Sequence, residues 1–311
     1  MGKITNHFDK VLSSLKYQEV EEKYDIYFSR FFGLYLANMA KYLGLTPTQV
    51  TVTSLFVGII GGGLLYFQNE IVLILVAGFL ITLAGLLDSA DGQLARMTGQ
   101  TSEFGRILDG EADSFVFAAC YVGGTAFFVF ETWENIWLVP LAMAAGYMQA
   151  LKSSVYDFYK NEFLYYCGEK EDSRVLAPYE VKQKQRAQGV WYVRIAYVLY
   201  YNYVKAQFQF NSRSMQTLTV FRGFYENTET KQLFQKQYYE RHLGILSWWA
   251  WFGGLNTFRW GIIVSCLFGR FDIFLWVGLI SSVGFLYTLV LEKRADKRIL
   301  SSMNQSPTDD M

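Results

Sequence analysis

Six stretches of the chain run nearly free of charge, approximately from Gln49 to Phe67, Ile71 to Leu87, Ser114 to Phe130, Asn135 to Leu151, Leu243 to Phe268 and Phe271 to Leu291. Their lengths approach the roughly 20 apolar residues that a helix needs to cross a hydrocarbon core about 30 Å thick. Long helices of soluble proteins carry a polar stripe, and these stretches lack one. The pattern therefore predicts an all-α integral membrane protein with six transmembrane helices. Arg259 interrupts the fifth stretch. A guanidinium is expensive in lipid, so Arg259 is expected to face a cavity or to reach the membrane interface.

The segments outside these stretches divide the chain further. Residues 1–45 alternate charge with Phe8, Val11, Leu12, Leu15, Tyr24, Phe28, Phe31 and Phe32, without the continuous apolar run of a signal peptide. They predict an N-terminal interfacial amphipathic helix. Its end is marked by LGLTPTQVT, in which Thr46 can cap the first span and Pro47 can open it. Residues 46–152 then hold spans one to four. Residues 153–242 form a long polar insertion carrying 13 of the 22 tyrosines and a basic run at Lys182, Lys184 and Arg186. That segment is too aromatic for a disordered linker. Its WYVRIAYVLYYNYVKAQFQF stretch reads as an interfacial helix with Arg194 and Lys205 reaching acidic lipid. A lid over a binding site, and a packing or oligomer contact, are the other readings. Residues 243–292 hold spans five and six, and 293–311 form a polar tail.

Lysine and arginine in the connections set the orientation. The N-terminal region, the connection after span two and the C-terminal tail carry twelve of them, against Arg270 alone on the other side. Both termini and the second connection are thus expected to face the cytosol. Overall, 28 basic residues balance 28 acidic ones. That neutrality excludes a generic nucleic-acid binder. The dispersed Cys120, Cys167 and Cys266 and the two histidines, His7 and His242, imply neither a disulfide framework nor a Cys/His zinc site. The cysteines read as small core residues, and the glycines at 58, 61–63, 253 and 254 as sites of close helix packing.

The connection between spans two and three concentrates the chemistry. It reads LLDSADGQLARMTGQTSEFGRILDGEADSF, with Asp88 and Asp91 three residues apart and Asp109 and Asp113 four apart, each pair on one helical face. A hairpin brings the two faces together. Carboxylates about 4 Å apart repel by several kcal/mol at an effective dielectric near 20, so four of them converging without counter-ions would largely protonate or splay apart, and divalent metal is the natural remedy. Oxygen-only ligands suit two hard divalent cations, Mg2+ or Mn2+, and paired metals of this kind clamp the oxygens of a phosphoryl displacement. Gly92 and Gly105 permit close approach of a phosphate or nucleotide, and Arg96 offers it a planar fork of donors.

The spacing D-x2-D-G-x2-A-R-x8-G-x3-D-x3-D, filled by Asp88, Asp91, Gly92, Ala95, Arg96, Gly105, Asp109 and Asp113, resembles the signature of the CDP-alcohol phosphotransferase family. The resemblance extends over about 20–152 and 243–292. It implies that a CDP-linked donor binds in a cytosol-facing cavity and that an acceptor hydroxyl attacks its phosphorus, releasing CMP. By the same resemblance Asp88, Asp91, Asp109 and Asp113 hold metal, and Asp113 also acts as the general base. Gly92, Ala95 and Gly105 give the nucleotide room. Thr51 aligns with a threonine that relatives place near the cytidine, although Thr48 stands where asparagine is common. Arg259 is a candidate ligand for a phosphate on the acceptor or the lipid. Glu111 lies inside the signature without belonging to it and reads as a solvated acid. The family also suggests a homodimer.

Two directions of transfer share this signature. In the first, phosphatidyl passes from CDP-diacylglycerol to a polyol phosphate such as inositol phosphate or glycerol phosphate. In the second, a CDP-ethanolamine-like or CDP-choline-like donor passes its headgroup to diacylglycerol or a ceramide-like lipid. Cation transport is the remaining class, because acids within membranes also mark ion paths. Transport sites lie near the bilayer midplane, whereas these acids sit at the ends of their spans.

Overall fold

The computed structural model describes residues 24–132 and 136–304. Every regular element among them is helical. A π-helical turn at Asp25–Ser29 runs into α1 (Arg30–Tyr42), followed by α2 (Pro47–Leu64), α3 (Ile71–Thr98), α4 (Glu103–Thr132) and α5 (Leu138–Tyr166). The inserted region contributes a short 3-10 turn at Glu171–Ser173, α6 (Pro178–Ala187), α7 (Trp191–Phe210) and α8 (Met215–Glu226). The chain closes with α9 (Thr228–Gly253), α10 (Leu255–Leu267), α11 (Phe271–Ile280) and α12 (Ser282–Asn304).

Four stretches are long and apolar enough to cross a membrane, as a multi-pass membrane protein requires: Pro47–Leu64, Ile71–Thr98, Glu103–Glu131 and the α11–α12 run Phe271–Asn304. The expected fourth and fifth spans do not join them among the described residues. α5 extends well past residue 151 into a half that carries Lys152, Asp157, Lys160 and Glu162. The fifth stretch is broken, because Gly254 has an extended backbone (φ −69°, ψ 129°) that separates α9 from α10. Glycine at 253 suits the break: a Cβ there would lie 2.6 Å from the Tyr156 Cβ of α5. Of the expected N-terminal helix, residues 1–23, His7 among them, lie outside the described residues. The remainder is helical and packs on α3.

The entry to α2 follows its sequence signals. Gly44, at φ 70°, ends α1 in the left-handed conformation that a side chain resists. Thr46 Oγ1 then accepts from the Gln49 amide at 3.3 Å while the Gln49 side chain accepts from the Thr46 amide at 2.9 Å, a capping box ahead of Pro47. α2 lies close against α3 and α4. A Cβ at Gly58 would meet Val116 at 2.5 Å, and one at Gly62 would meet the Cys120 backbone at 2.7 Å. Gly63, by contrast, faces open space. Cys120 and Cys266 are buried and all three cysteines are free.

A second core holds the insertion. Phe158, Phe163 and Tyr166 of α5 pack with Phe221 of α8 and with Phe234, Tyr238 and Trp249 of α9. The aromatic density of 153–242 is therefore core material, which accounts for its helicity. At the centre of this core, Arg213 donates from Nε and Nη2 to Asp296 at 2.9 and 2.7 Å and from Nη1 to the Tyr238 hydroxyl at 2.9 Å. Glu162 lies 3.6 Å from Arg213 and 4.0 Å from Arg222. His242 Nδ1 sits 2.6 Å from Glu292, and its Nε2 sits 3.4 Å from Asp296. His242 is thus buried in an ion network rather than placed in a polar end of the chain, as its sequence context suggests. His242, Glu292 and Asp296 are also close enough to hold a metal ion. With His242 protonated, three cations, Arg213, Arg222 and His242, balance the charge of Glu162, Glu292 and Asp296.

Burial alone would lower the His242 pKa, but Glu292 and Asp296 facing the ring raise it above its ordinary value. The raised value makes the imidazolium stabilising. That contribution is complete below the unfolded value near about 6.5 and is lost as pH rises through the higher folded value. The unfolding temperature in detergent is expected to fall with rising pH over this interval in the wild type, and its pH dependence to flatten in His242→Gln. Identical pH profiles would exclude the ring as the titrating group.

Candidate active site

α3 and α4 follow one another across Gly99–Ser102, and both pack on α2. α3 stops at Gly99, which adopts φ 68°. Ser102 then starts α4, its Oγ accepting from the Gly105 amide at 2.9 Å. The short connection sets the end of α3 beside the start of α4. As a result one carboxylate oxygen each from Asp88, Asp91 and Asp109 lies within 4.8 Å of the others.

The three acids are positioned from different sides. Asp91 is buried, and its Oδ2 accepts a 2.5 Å hydrogen bond from Thr51 of α2, which links the α2 face to the cluster. Asp109 has an Oδ1 that is buried without a hydrogen-bond partner among the described residues. An orphaned carboxylate oxygen beside two further carboxylates is a donor set for a cation, and oxygen-only ligands fit a hard one. Asp88, Asp91 and Asp109 are thus the residues that can hold it. Asp113, one turn further along α4, stands apart from this trio: its Oδ1 lies 3.7 Å from Arg259 Nη2. Arg259 is itself buried, faces the site, and donates from Nη1 to Asn256 at 3.1 Å, while Asn256 donates to Asp25 at 2.9 Å.

A cavity of about 930 Å³ opens beside the acids. Its polar end is lined by Asp25, Asp88, Asp109, Asp113, Asn256 and Arg259. It continues between α4 and α5 along Phe117, Val122, Phe130, Val139 and Met143, an apolar slot alongside the polar head. Thr51, Asp91, Gly92, Ala95, Arg96 and Gly105 do not line it. The carboxylate cluster accordingly divides the region in two. The cavity, with Asp113 and Arg259, lies on one side, and Thr51, Asp91, Gly92 and Ala95 run along α2 and α3 outside its lining. Arg96 is exposed, and a Cβ at Gly92 would find only Arg96 Nη1 nearby, at 3.6 Å. Glu111 is half-buried and belongs neither to the trio nor to the cavity lining.

Several participants carry little sequence signal. Asp25 and Asn256 gain their roles only when the Asp25–Ser29 turn meets α10. Gly85 is another: a Cβ there would lie 2.5 Å from Arg259 Cζ, so the guanidinium reaches the site across a bare stretch of α3. Its one legible mark is its position, three residues before Asp88 on the same helical face.

Comparison with known proteins agrees with this geometry. Residues 44–159, from the end of α1 into α5, match the family model described as CDP-alcohol phosphatidyltransferase. Over 81 residues it is 36% identical to an archaetidylinositol phosphate synthase of Pyrococcus horikoshii, an alignment covering 26% of this chain and 41% of that protein. Over 118 residues it is 27% identical to a bifunctional IPC transferase and DIPP synthase of Aquifex aeolicus, covering 38% of this chain and 26% of the relative. The chain thus spans less than half the length of these curated relatives. No solved structure matches it.

Proposed function

We propose that this protein is a membrane-embedded CDP-alcohol phosphotransferase of phospholipid synthesis, moving phosphatidyl from CDP-diacylglycerol to the hydroxyl of a polyol phosphate such as inositol phosphate or glycerol phosphate, with release of CMP. The observation that carries the reading is the convergence of Asp88, Asp91 and Asp109 at the head of a cavity with an apolar slot. A lipid donor has the same two-part character, a polar head and long hydrocarbon. The slot between α4 and α5 favours a lipid that is already diacylated over a purely soluble donor. The family signature supports the chemistry, and the relative named as an archaetidylinositol phosphate synthase supports a phosphorylated polyol as acceptor.

In this reading two divalent cations, Mg2+ or Mn2+, when bound, neutralise the donor pyrophosphate and polarise its phosphorus. Asp88, Asp91 and Asp109 hold them, with Asp113 contributing. Thr51, Gly92, Ala95 and Arg96 on the α2–α3 side, with Gly105 at the start of α4, accommodate the cytidine diphosphate. Asp113 takes the proton of the acceptor hydroxyl, and Arg259 beside it holds a phosphate of the acceptor or donor near the developing charge. The same reading includes six membrane crossings, an interfacial N-terminal helix, a cytosolic site with both termini on that side, and a homodimer. Residues 46–152 and 243–292 form the catalytic bundle in it, and 153–242 form a cytosolic insertion.

The experiment is a donor and acceptor screen with purified protein in lipid, reading CMP release with and without magnesium. Magnesium-dependent CMP release from CDP-diacylglycerol and a polyol phosphate is expected. Turnover only with CDP-ethanolamine-like or CDP-choline-like donors and diacylglycerol would reverse the direction, and no CMP from any pair would end the assignment. Arg259 supplies a finer check. Gly85→Ala is expected to displace its guanidinium and lower turnover about tenfold to hundredfold, the loss expected for one charged hydrogen bond. Unchanged kinetics in Gly85→Ala would remove Arg259 from the mechanism.

A further inference from the structure

The cavity has a wall that the transferase signature does not supply. Beyond Asp113 it is lined by Asp157 and Lys160 of α5 and by Tyr203 of α7, the helix that the insertion adds. α7 is fixed over this end of the cavity. Tyr197 and Val204 pack on Ile107 in the first turns of α4, and Gln207 Nε2 donates to the Ser154 carbonyl of α5 at 2.9 Å. Lys184 of α6 adds a 2.6 Å ion pair to Glu103 at the start of α4. The insertion therefore bridges the two helices between which the cavity runs.

Within this wall the Tyr203 hydroxyl donates to Asp157 Oδ2 at 2.9 Å, and Asn161 donates to the same oxygen at 2.9 Å. Among the described residues both hydrogen bonds to Asp157 fall on Oδ2, so Oδ1 keeps its acceptor capacity. The phenol oxygen, having donated its proton, keeps lone pairs that accept. Burial raises the Asp157 pKa, and Tyr203, Lys160 and Asn161 oppose that shift. The wall thus presents a carboxylate and a phenol oxygen as acceptors, with an ammonium on the same lining. Neither the apolar slot nor the pyrophosphate of a lipid donor needs acceptors here. A molecule rich in hydroxyl donors does.

We propose that Asp157 and Tyr203 form an acceptor subsite, built by the insertion, that reads the hydroxyl groups of a polyol phosphate and selects for a hydroxyl-rich one. This rests on the proposed transferase reading. The physical basis is the asymmetry of hydrogen-bonding pockets: a site built to pair hydroxyls rejects analogues that lack them, because its own buried polar groups are then left unpaired. Tyr203 is a positioning residue for Asp157 as well as a contact. It fixes the carboxylate through Oδ2, which leaves the other oxygen for the acceptor.

The test is steady-state kinetics of the full chain reconstituted in lipid with CDP-diacylglycerol, comparing inositol phosphate with glycerol phosphate as acceptors. Tyr203→Phe and Asp157→Asn are each expected to raise the KM for inositol phosphate about tenfold or more, while kcat and the donor KM stay within about twofold. The preference for inositol phosphate over glycerol phosphate is expected to shrink in both variants. An unchanged acceptor KM and an unchanged preference would overturn the subsite. So would a parallel rise in donor KM with a lowered unfolding temperature, which would mark Tyr203 and Asp157 as packing residues. Wild-type turnover with diacylglycerol but no polyol phosphate would sink the subsite and spare the transferase class. Absence of CMP release from the wild type with every donor would sink the reading beneath both.

Discussion

Asp109→Asn is expected to reduce CMP release by at least about a thousandfold and, in metal-free protein, to raise the unfolding temperature. The two effects share one cause. Oxygens of Asp88, Asp91 and Asp109 lie within 4.8 Å of one another, and Asp109 Oδ1 is buried without a partner among the described residues. At an effective dielectric near 20 each ionised pair at such a distance repels by about 3 kcal/mol unless a carboxyl takes up a proton, and an amide at 109 removes that cost. An amide carries no negative charge to offset a cation, so the binding site loses one of its charged ligands as it gains stability. Losing one preorganised electrostatic group costs about 10²–10³ in turnover, and a metal ligand lies at or beyond the upper end of that range. Activity assays and melting curves on the same preparations, with and without magnesium, check both halves. Loss of activity together with loss of stability would mean that Asp109 holds the fold rather than a cation.

The second large effect is structural. Arg213→Met is expected to destabilise the protein by about 3–5 kcal/mol, because it strands Asp296 and Glu162 as buried charges. Arg213 lies in the turn between α7 and α8 and ties the insertion to α12 through Asp296 and to α5 through Glu162. Its guanidinium also sits 5.1–5.4 Å from the ring centroids of Tyr159, Phe221 and Tyr238. Methionine fills part of that volume but supplies none of the charge. Unfolding in detergent measures the loss, and limited proteolysis locates it: cleavage is expected first between α6 and α8. A melting temperature equal to wild type would show that Glu162 and Asp296 find other partners.

The sequence was most legible where chemistry is local. Thr46 caps α2 ahead of Pro47 as its neighbours predict, and Asp88 and Asp91, three residues apart on α3, offer oxygens to one cluster. Close packing at Gly58 and Gly62 was legible for the same reason, since small residues clustered in an apolar helix have few other uses. What escaped depends on distant contacts. Hydropathy alone treats Leu243–Phe268 as one span, because it does not register that Tyr156 crowds Gly253 and that the backbone turns extended at Gly254. His242 looked like a polar residue at the edge of a span, yet Glu292 and Asp296, some 50 residues away, draw it into a core. Asp113 illustrates both cases. Its place on the acid-bearing face of α4 was readable, whereas its pairing with Arg259 instead of the other three acids depends on α10 crossing beside Gly85.

The most direct test is a titration of Mn2+ into purified protein by electron paramagnetic resonance, in the wild type and in Asp88→Asn, Asp91→Asn and Asp109→Asn. The account predicts bound manganese in the wild type, weakened or absent binding in each variant, and CMP release that falls in step with it. Manganese bound equally by all four proteins, or CMP release that persists in chelator, would contradict it.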